Sequence, residues 1–275
     1  MTDDGFPQPP DEQPSPTIDT TVPHSARIWN YWVGGKDHYP IDREIGAKIV
    51  KIFPDIIDVA RHSRAFLVRV VRYLAGEAGI RQFLDIGTGL PTQNNTHEVA
   101  QQVAPDSRIV YVDNDPLVLV HARALLTTTP EGATDYLDAD VRNPGKILTE
   151  AAKTLDFTQP IGLMMLGIMG NVVDNDQAYA IVRRLLDALP SGSYLALNDG
   201  TSVIHGTARE DAIQVWDDRG GAPYTSRTPA QITRFFDGLE LLDPGVVSVS
   251  RWRPEATSWG IPPEVDAFCG LARKP

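Results

Sequence analysis

Asp85, Gly87 and Gly89 stand at the end of a short apolar run, Phe83-Leu-Asp-Ile-Gly-Thr-Gly-Leu-Pro-Thr92, and a helical pattern, Thr96 to Val103, follows. Strand, glycine turn and helix in that order form a nucleotide-binding loop, with glycines admitting a ligand close to the backbone. The carboxylate of Asp85 decides which ligand. It would repel the pyrophosphate of a dinucleotide, which such loops bind through helix N–H groups. It would attract an ammonium and a sulfonium, the two cationic groups of S-adenosylmethionine (SAM). Thr92 also stands where G-x-G-x-x-G needs its third glycine, which points further from a dinucleotide.

Two more acids end strand-like runs. Asp113 closes Arg108-Ile-Val-Tyr-Val-Asp113, 24 residues beyond Gly89, near the spacing of about 20 at which an acid accepts from a ribose diol. Asn114 follows it. Asp115 reads as a helix cap before Pro116, which is tolerated at a helix start. Asp140 closes the run 134–139, where a carboxylate can accept from an adenine amino group or cap the next helix; the Val141 N–H and side chain can address the ring. Asp138 reads as solvent-facing. These positions, with Thr88 inside the glycine turn, are the candidate cofactor residues. The fourth run ends Leu166-Gly-Ile-Met-Gly-Asn171 and lacks the Asn/Asp-Pro-Pro-aromatic turn of many amino-methylating enzymes of nucleic acids. There Asn171 reads as a turn or capping residue.

Methyl transfer from a sulfonium needs alignment and desolvation, and a base only when the acceptor must lose its proton during attack. His205, His38 and Tyr39 are candidates for that base, and each also fits a purely structural role, so the catalytic residue stays unassigned.

Strands are expected at 82–86, 108–113, 134–139, 161–166, 193–198, 245–251 and 265–272. Helices are expected at 94–103, 116–126, 145–154, 176–189, 207–216 and 228–237. This alternation implies right-handed crossovers and a mostly parallel sheet covered on both faces. The last two strands are joined by a loop too irregular for a crossover helix, which predicts an antiparallel pair. The expected fold is thus α/β, a Rossmann-like seven-stranded sheet with an antiparallel last strand, as in class I methyltransferases. It spans residues 81–275. Residues 23–80 form a helical cap, with helices around Arg27–Val33, from Asp42 to about Phe53 and from Ile57 to Ala75. Residues 1–22, rich in Pro and Asp, read as a flexible tail.

Trp29, Tyr31, Trp32 and Tyr39 surround Gly34-Gly35-Lys36. Aromatic faces can shield a sulfonium, and Lys36 or Arg27 can pair with the SAM carboxylate. The same residues also suit a plain apolar seam between helices and sheet.

The net charge of −11 argues against nucleic-acid binding, which draws on positive charge. It is uneven: residues 1–22 hold five acids and no Lys or Arg, whereas residues 23–72 hold nine Lys/Arg against five acids. The single cysteine, Cys269, excludes an internal disulfide and a cysteine-rich metal site, and reads as a buried apolar residue. No apolar stretch is long enough to cross a bilayer, and no signal peptide is evident, so a cytoplasmic location is expected.

Two blocks carry a family resemblance: Pro23-His-Ser-Ala-Arg-Ile-Trp-Asn-Tyr-Trp-Val-Gly-Gly-Lys-Asp-His-Tyr-Pro-Ile-Asp-Arg-Glu44, and Phe83 to Gln93 continuing through Val110-Tyr-Val-Asp-Asn-Asp-Pro116. The chain resembles an actinobacterial group of SAM-dependent methyltransferases, formerly a domain of unknown function. The resemblance covers roughly residues 23 to 275. It implies SAM as donor, N-terminal helices over the cofactor cleft, and cofactor positions at Asp85, Gly87, Gly89, Asp113, Asn114, Asp140 and Val141. It departs at Asn94-Asn95, where similar sequences have a Gly-Asn pair, and it names no acceptor. The expected activity is SAM-dependent methylation of a small molecule at oxygen or nitrogen, with no metal, nucleic acid or membrane partner. The alternatives are a non-catalytic SAM-binding regulator and an NAD(P)-dependent oxidoreductase, against which Asp85 counts.

Overall fold

The computed structural model describes residues 18–118, 120, 128–255 and 260–275. Most of the expected helix 116–126, most of the expected tail and part of the loop 251–263 lie outside these residues.

Three helices come first: α1 (Ser25–Trp32), α2 (Pro40–Ile52) and α3 (Ile56–Gly76). Then β1 (Gln82–Ile86), α4 (Thr96–Val103), β2 (Arg108–Asp113) and β3 (Ala133–Asp138) follow. Next come α5 (Pro144–Ala151), β4 (Gly162–Leu166), α6 (Asn175–Asp187), β5 (Tyr194–Gly200) and α7 (Thr207–Asp217). The chain ends with α8 (Pro229–Thr233), β6 (Glu240–Leu241), β7 (Val247–Ser248) and β8 (Ala267–Arg273).

The strand order is β3-β2-β1-β4-β5-β8-β6, with β7 also pairing with β8. Strands β1 to β5 are mutually parallel, and β8 runs antiparallel to β5. The order reverses between β1 and β4, so a crevice opens at the carboxyl ends of these strands, where open α/β sheets bind ligands. Every residue of β1 and of β5 is buried. Along β1, Phe83 packs into one core and Leu84 and Ile86 into the other, as a strand covered on both faces requires.

The seven-strand layout with its antiparallel end is present, with one difference. The run expected as a strand at 245–251 is reduced to Val247–Ser248, and Glu240–Leu241 adds a second short partner of β8. Backbone turns bound the short strand, Gly245 N–H to the Leu242 carbonyl at 2.8 Å and Arg251 N–H to the Ser248 carbonyl at 2.7 Å, and hydroxyls tie it to the facing loop, Ser248 Oγ donating to the Val265 carbonyl at 3.0 Å and Ser250 Oγ to the Pro263 carbonyl at 2.6 Å.

Helix α2 starts at Pro40, before Asp42. The Asp42 side chain reaches back and accepts the Tyr39 N–H at 2.8 Å and the His24 N–H at 3.0 Å. Around residue 22 the chain is anchored. The buried Arg27 donates from Nη1 to the Asp19 carbonyl at 3.0 Å and from Nη2 to the Val22 carbonyl at 2.7 Å. The segment expected as a free tail to residue 22 therefore ends in a fixed turn.

Candidate functional site

The glycine loop is built by conformation first. Gly87 and Gly89 have φ of 78° and 64°, a region that favours glycine. A Cβ on Gly87 would lie 2.6 Å from the Ile168 Cβ, so no larger residue fits there. The Gly87 N–H donates to the Val112 carbonyl at 2.8 Å, and the Gly89 N–H to Asp113 Oδ2 at 2.8 Å. Asn94 takes a φ of 60° and Asn95 caps α4, accepting the Thr92 N–H and donating to the Thr92 carbonyl. The Asn94-Asn95 pair thus makes the turn into α4, at the place where the resemblance implied a Gly-Asn pair.

Asp85 is buried and lines the cavity beside this loop. Among the described residues Thr96 is its hydrogen-bond donor, Oγ1 to Oδ2 at 2.6 Å. Burial pushes its pKa up to about 6 against the pull of Thr96 and Arg64. Such a carboxylate is stabilised by an incoming cation. Asp113 is also buried. Its Oδ1 accepts the N–H groups of Asn114 and Asp115 at 2.9 and 3.0 Å, and burial raises its pKa. Since a carboxylate offers about four acceptor positions, Asp113 keeps capacity for a hydroxyl after bracing the loop.

On β3 and beyond, Asp140 accepts from Asn114 Nδ2 at 3.3 Å and from the Arg142 N–H at 2.8 Å. Asp138 is exposed and Val141 is buried. Asp85, Gly87, Thr88, Gly89, Asp113, Asn114, Asp140 and Val141 all line one cavity of about 340 Å³, within the size range of small-molecule sites. Thr88 Oγ1 meets the Tyr136 hydroxyl at 2.8 Å on its wall.

Helix α1 covers the loop: Ala26 packs with Leu90, Leu117 and Val118. His24 Nδ1 lies 2.9 Å from Asp115 Oδ2 and 3.4 Å from the Ala26 nitrogen. One nitrogen serves one of these at a time, and the shorter, charge-assisted contact is the stronger.

Tyr31 and Lys36 are not brought to the cavity. Tyr31 packs edge-on against His38 and next to Gly46 of α2, and Lys36 is exposed. Trp29 and Trp32, three apart and so on one helix face, line the cavity instead. Arg27 is equally unavailable to a ligand. Its guanidinium is spent on the carbonyls of Asp19 and Val22 and on Asp42, whose Oδ1 lies 3.5 Å from Nε. The three candidate bases also lie off the cavity wall. His38 contacts the Gly35 carbonyl at 3.1 Å, Tyr39 heads α2, and His205 sits between Asp266 at 2.8 Å and Asp55 at 3.4 Å.

Several lining residues carried no sequence signal. Arg64 of α3 lines the cavity and donates to the Gln93 carbonyl at 2.9 Å and to Asn95 Oδ1 at 2.8 Å. At the far end stand Phe53, Asp199, Arg209, Trp216 and Tyr224. Arg227 is a clamp behind them. Its Nη1 donates to Asp199 Oδ2 and to the Met169 carbonyl, both at 2.7 Å, its Nε to Asn175 Oδ1 at 3.0 Å, and its Nη2 to the Val172 carbonyl. Cys269, on β8, is buried, and burial pushes its thiol pKa up. Among the described residues no cluster of His, Cys, Asp and Glu could hold a metal ion, and no helix is long and apolar enough to cross a membrane.

Proteins of known structure share this fold. A DUF574 family protein from Streptomyces avermitilis MA-4680 is 48% identical, with a TM-score of 0.90 over 94% of this chain and 100% of its own. A Thermobifida fusca YX protein described as a candidate methyltransferase is 39% identical, with a TM-score of 0.85 over 95% of this chain and 98% of its own. The plantazolicin methyltransferase BpumL, solved with S-adenosylhomocysteine, shares the fold at 12% identity and a TM-score of 0.50, over 91% of this chain and 95% of its own. No curated protein matches. The family described as S-adenosyl methyltransferase matches residues 11–275, and the chain belongs to that family: it is a SAM-dependent methyltransferase of class I fold.

Proposed function

We propose that this enzyme methylates oxygen or nitrogen of a small molecule held in the chamber beside the glycine loop. The observation that carries the reading is the continuity of one cavity. It runs from Asp85, Gly87 and Asp113 to a wall of Trp29, Trp32, Phe53, Trp216 and Tyr224, under helices α1 to α3. Such a recessed chamber suits a small acceptor better than a polymer, and the net charge of −11 disfavours nucleic acid. The acidic charge and the one buried cysteine fit a cytoplasmic enzyme.

SAM supplies a methyl group on a sulfonium that departs as a neutral thioether. The chain's part is to hold and align. Asp85 faces the cationic end, Asp113 the ribose, and Asp140 with Val141 the adenine. Gly87, Thr88, Gly89 and Asn114 complete the cradle. Arg64, close enough to Asp85 to lower its pKa, takes the carboxylate partnership expected of Lys36 or Arg27. Tyr31 and Lys36 support the cap rather than the cofactor. With His38, Tyr39 and His205 off the wall, alignment and exclusion of water by the aromatic wall carry the reaction.

The test is calorimetric titration with SAM and S-adenosylhomocysteine, followed by labelled methyl transfer into a cell extract separated by size. Binding of both ligands and label in the low-mass fraction are expected. No heat with either ligand refutes the site, and label confined to macromolecules refutes the small acceptor.

A further inference from the structure

Arg209 is a buried cation with no acid of its own. It is 6% exposed and lines the cavity. It forms no ion pair among the described residues. The buried carboxylate that feels its charge, Asp199, is already matched by Arg227 at 2.7 Å. Its hydrogen bond is a long one, Nη2 to the Tyr224 hydroxyl at 3.3 Å, and its Nε is buried with no partner. Arg227, behind the cavity wall, has every nitrogen engaged. The two arginines nearest Asp199 are thus treated differently: Arg227 is structural and saturated, whereas Arg209, on the cavity wall, is left under-satisfied.

Its position makes this more telling. Arg209 is the third residue of α7, in the first turn, where the helix dipole disfavours a cation. A buried, unpaired charge is expensive in any fold. What surrounds it are aromatic faces. The guanidinium carbon lies 5.7 Å from the ring centres of both Phe53 and Tyr224. These supply cation–π attraction but no counter-charge.

The space for this arrangement is made by two glycines, Gly200 at the end of β5 and Gly170 in the turn after β4. A Cβ at Gly200 would stand 2.3 Å from Arg209 Nη2 and 2.5 Å from the Tyr224 hydroxyl. A Cβ at Gly170 would stand 2.3 Å from the Tyr224 ring. The tyrosine is pinned by its neighbour, whose N–H donates to the Gly170 carbonyl at 2.9 Å. The backbone is therefore shaped to seat this Arg–Tyr pair at the β5 side of the cavity, whereas Asp113 and Asp140 follow β2 and β3 on the other side of β1.

We infer that the methyl acceptor is an anionic, flat small molecule whose carboxylate binds Arg209 and whose body packs among Phe53, Trp216 and Tyr224. This rests on the proposed small-molecule methylation and names the class of its substrate. A carboxylate is chosen over a phosphate because the other lining arginines are committed elsewhere: Arg142 pairs with Asp140 at 3.1 Å, and Arg64 bonds Gln93 and Asn95 beside Asp85. One guanidinium matches one negative charge.

The test uses the full chain saturated with S-adenosylhomocysteine, titrated with 4-hydroxybenzoate and, separately, with its neutral amide. The acid should bind roughly ten- to a hundredfold more tightly than the amide, the range of a charge-assisted hydrogen bond. Arg209→Gln should erase that preference and Arg209→Lys should restore part of it, with the S-adenosylhomocysteine affinity of both variants unchanged. Equal binding of acid and amide, no acid binding at millimolar concentration, or an acid preference that survives Arg209→Gln overturns the inference and leaves the cofactor reading standing. Loss of S-adenosylhomocysteine binding in Arg209→Gln also overturns it, since Arg209 would then serve the cofactor. Failure of the wild type to bind S-adenosylhomocysteine at all instead refutes the underlying site.

Discussion

The Gly89 N–H donates to Asp113 Oδ2 at 2.8 Å, so the acid that ends β2 also fixes the loop that follows β1. On the proposed reading of the site, loop shape and ribose recognition are coupled through one carboxylate. Asp113→Ala should lose both, weakening SAM binding by more than a single hydrogen bond, roughly a hundredfold or more. Asp113→Asn keeps the shape but can accept at one oxygen only, and should fall between. Calorimetry on the three proteins orders them.

Asp85 predicts a pH dependence. Its folded pKa is about 6, above the ordinary 3.8, because burial disfavours the charge. The ionised form attracts the cationic cofactor, so affinity should rise with pH through about 6 and level above it. Below that it should drop by about tenfold per unit. Asp85→Asn should bind weakly and lack this step. For the ligand-free fold the sign is opposite. A raised carboxyl pKa means the folded state holds the proton more tightly, so this group's contribution to stability falls as pH climbs from 3.8 towards about 6.

Two glycines with the same φ of 78° should respond differently to alanine. At Gly87 the new Cβ meets Ile168 at 2.6 Å, whereas at Gly167 it meets nothing within 4 Å. Gly167→Ala should cost about 1–2 kcal/mol, from backbone strain alone. Gly87→Ala should cost more and should also abolish SAM binding. Denaturant titration with parallel calorimetry separates the two.

Removing Arg227 leaves Asp199 buried and unpaired. Arg227→Met should destabilise the fold by about 3–5 kcal/mol, seen as a lower denaturation midpoint. A loss below 1 kcal/mol would show that the clamp is dispensable.

Deletion through residue 22 removes both carbonyls that hold Arg27, Asp19 and Val22. It should weaken SAM binding by loosening α1 above the glycine loop. Deletion through residue 16, which spares them, is the control and should bind as the intact chain does.

That Asp85, Gly87, Gly89, Asp113 and Asp140 would share one cavity was legible because these parts of the candidate site are local. Asp85, Gly87 and Gly89 lie in one turn, and Asp113 and Asp140 each end an apolar run, so strand ends and chemistry coincide. The acceptor half was not. Phe53, Gly200, Arg209 and Tyr224 meet only after the sheet has assembled, and no spacing along the chain joins them. Tyr31 and Lys36 were misplaced for a different reason. Composition marked the aromatic cluster, but the 100° advance per helical residue turns Trp29 and Trp32 inward and Tyr31 towards α2. The strand expected at 245–251 is cut short by a turn at each end, Gly245 N–H to the Leu242 carbonyl and Arg251 N–H to the Ser248 carbonyl, which hydrophobic pattern does not register.

The two halves of the cavity come from different parts of the chain. The glycine loop and its acids are borne by β1 to β3, while the aromatic end is borne by the N-terminal helices, α7 and the segment through Tyr224. If the two regions hold donor and acceptor as proposed, donor use and acceptor choice are separable traits. Recombining Phe53, Arg209 and Tyr224 with their counterparts from a relative should redirect the enzyme to another acceptor without retuning its affinity for SAM.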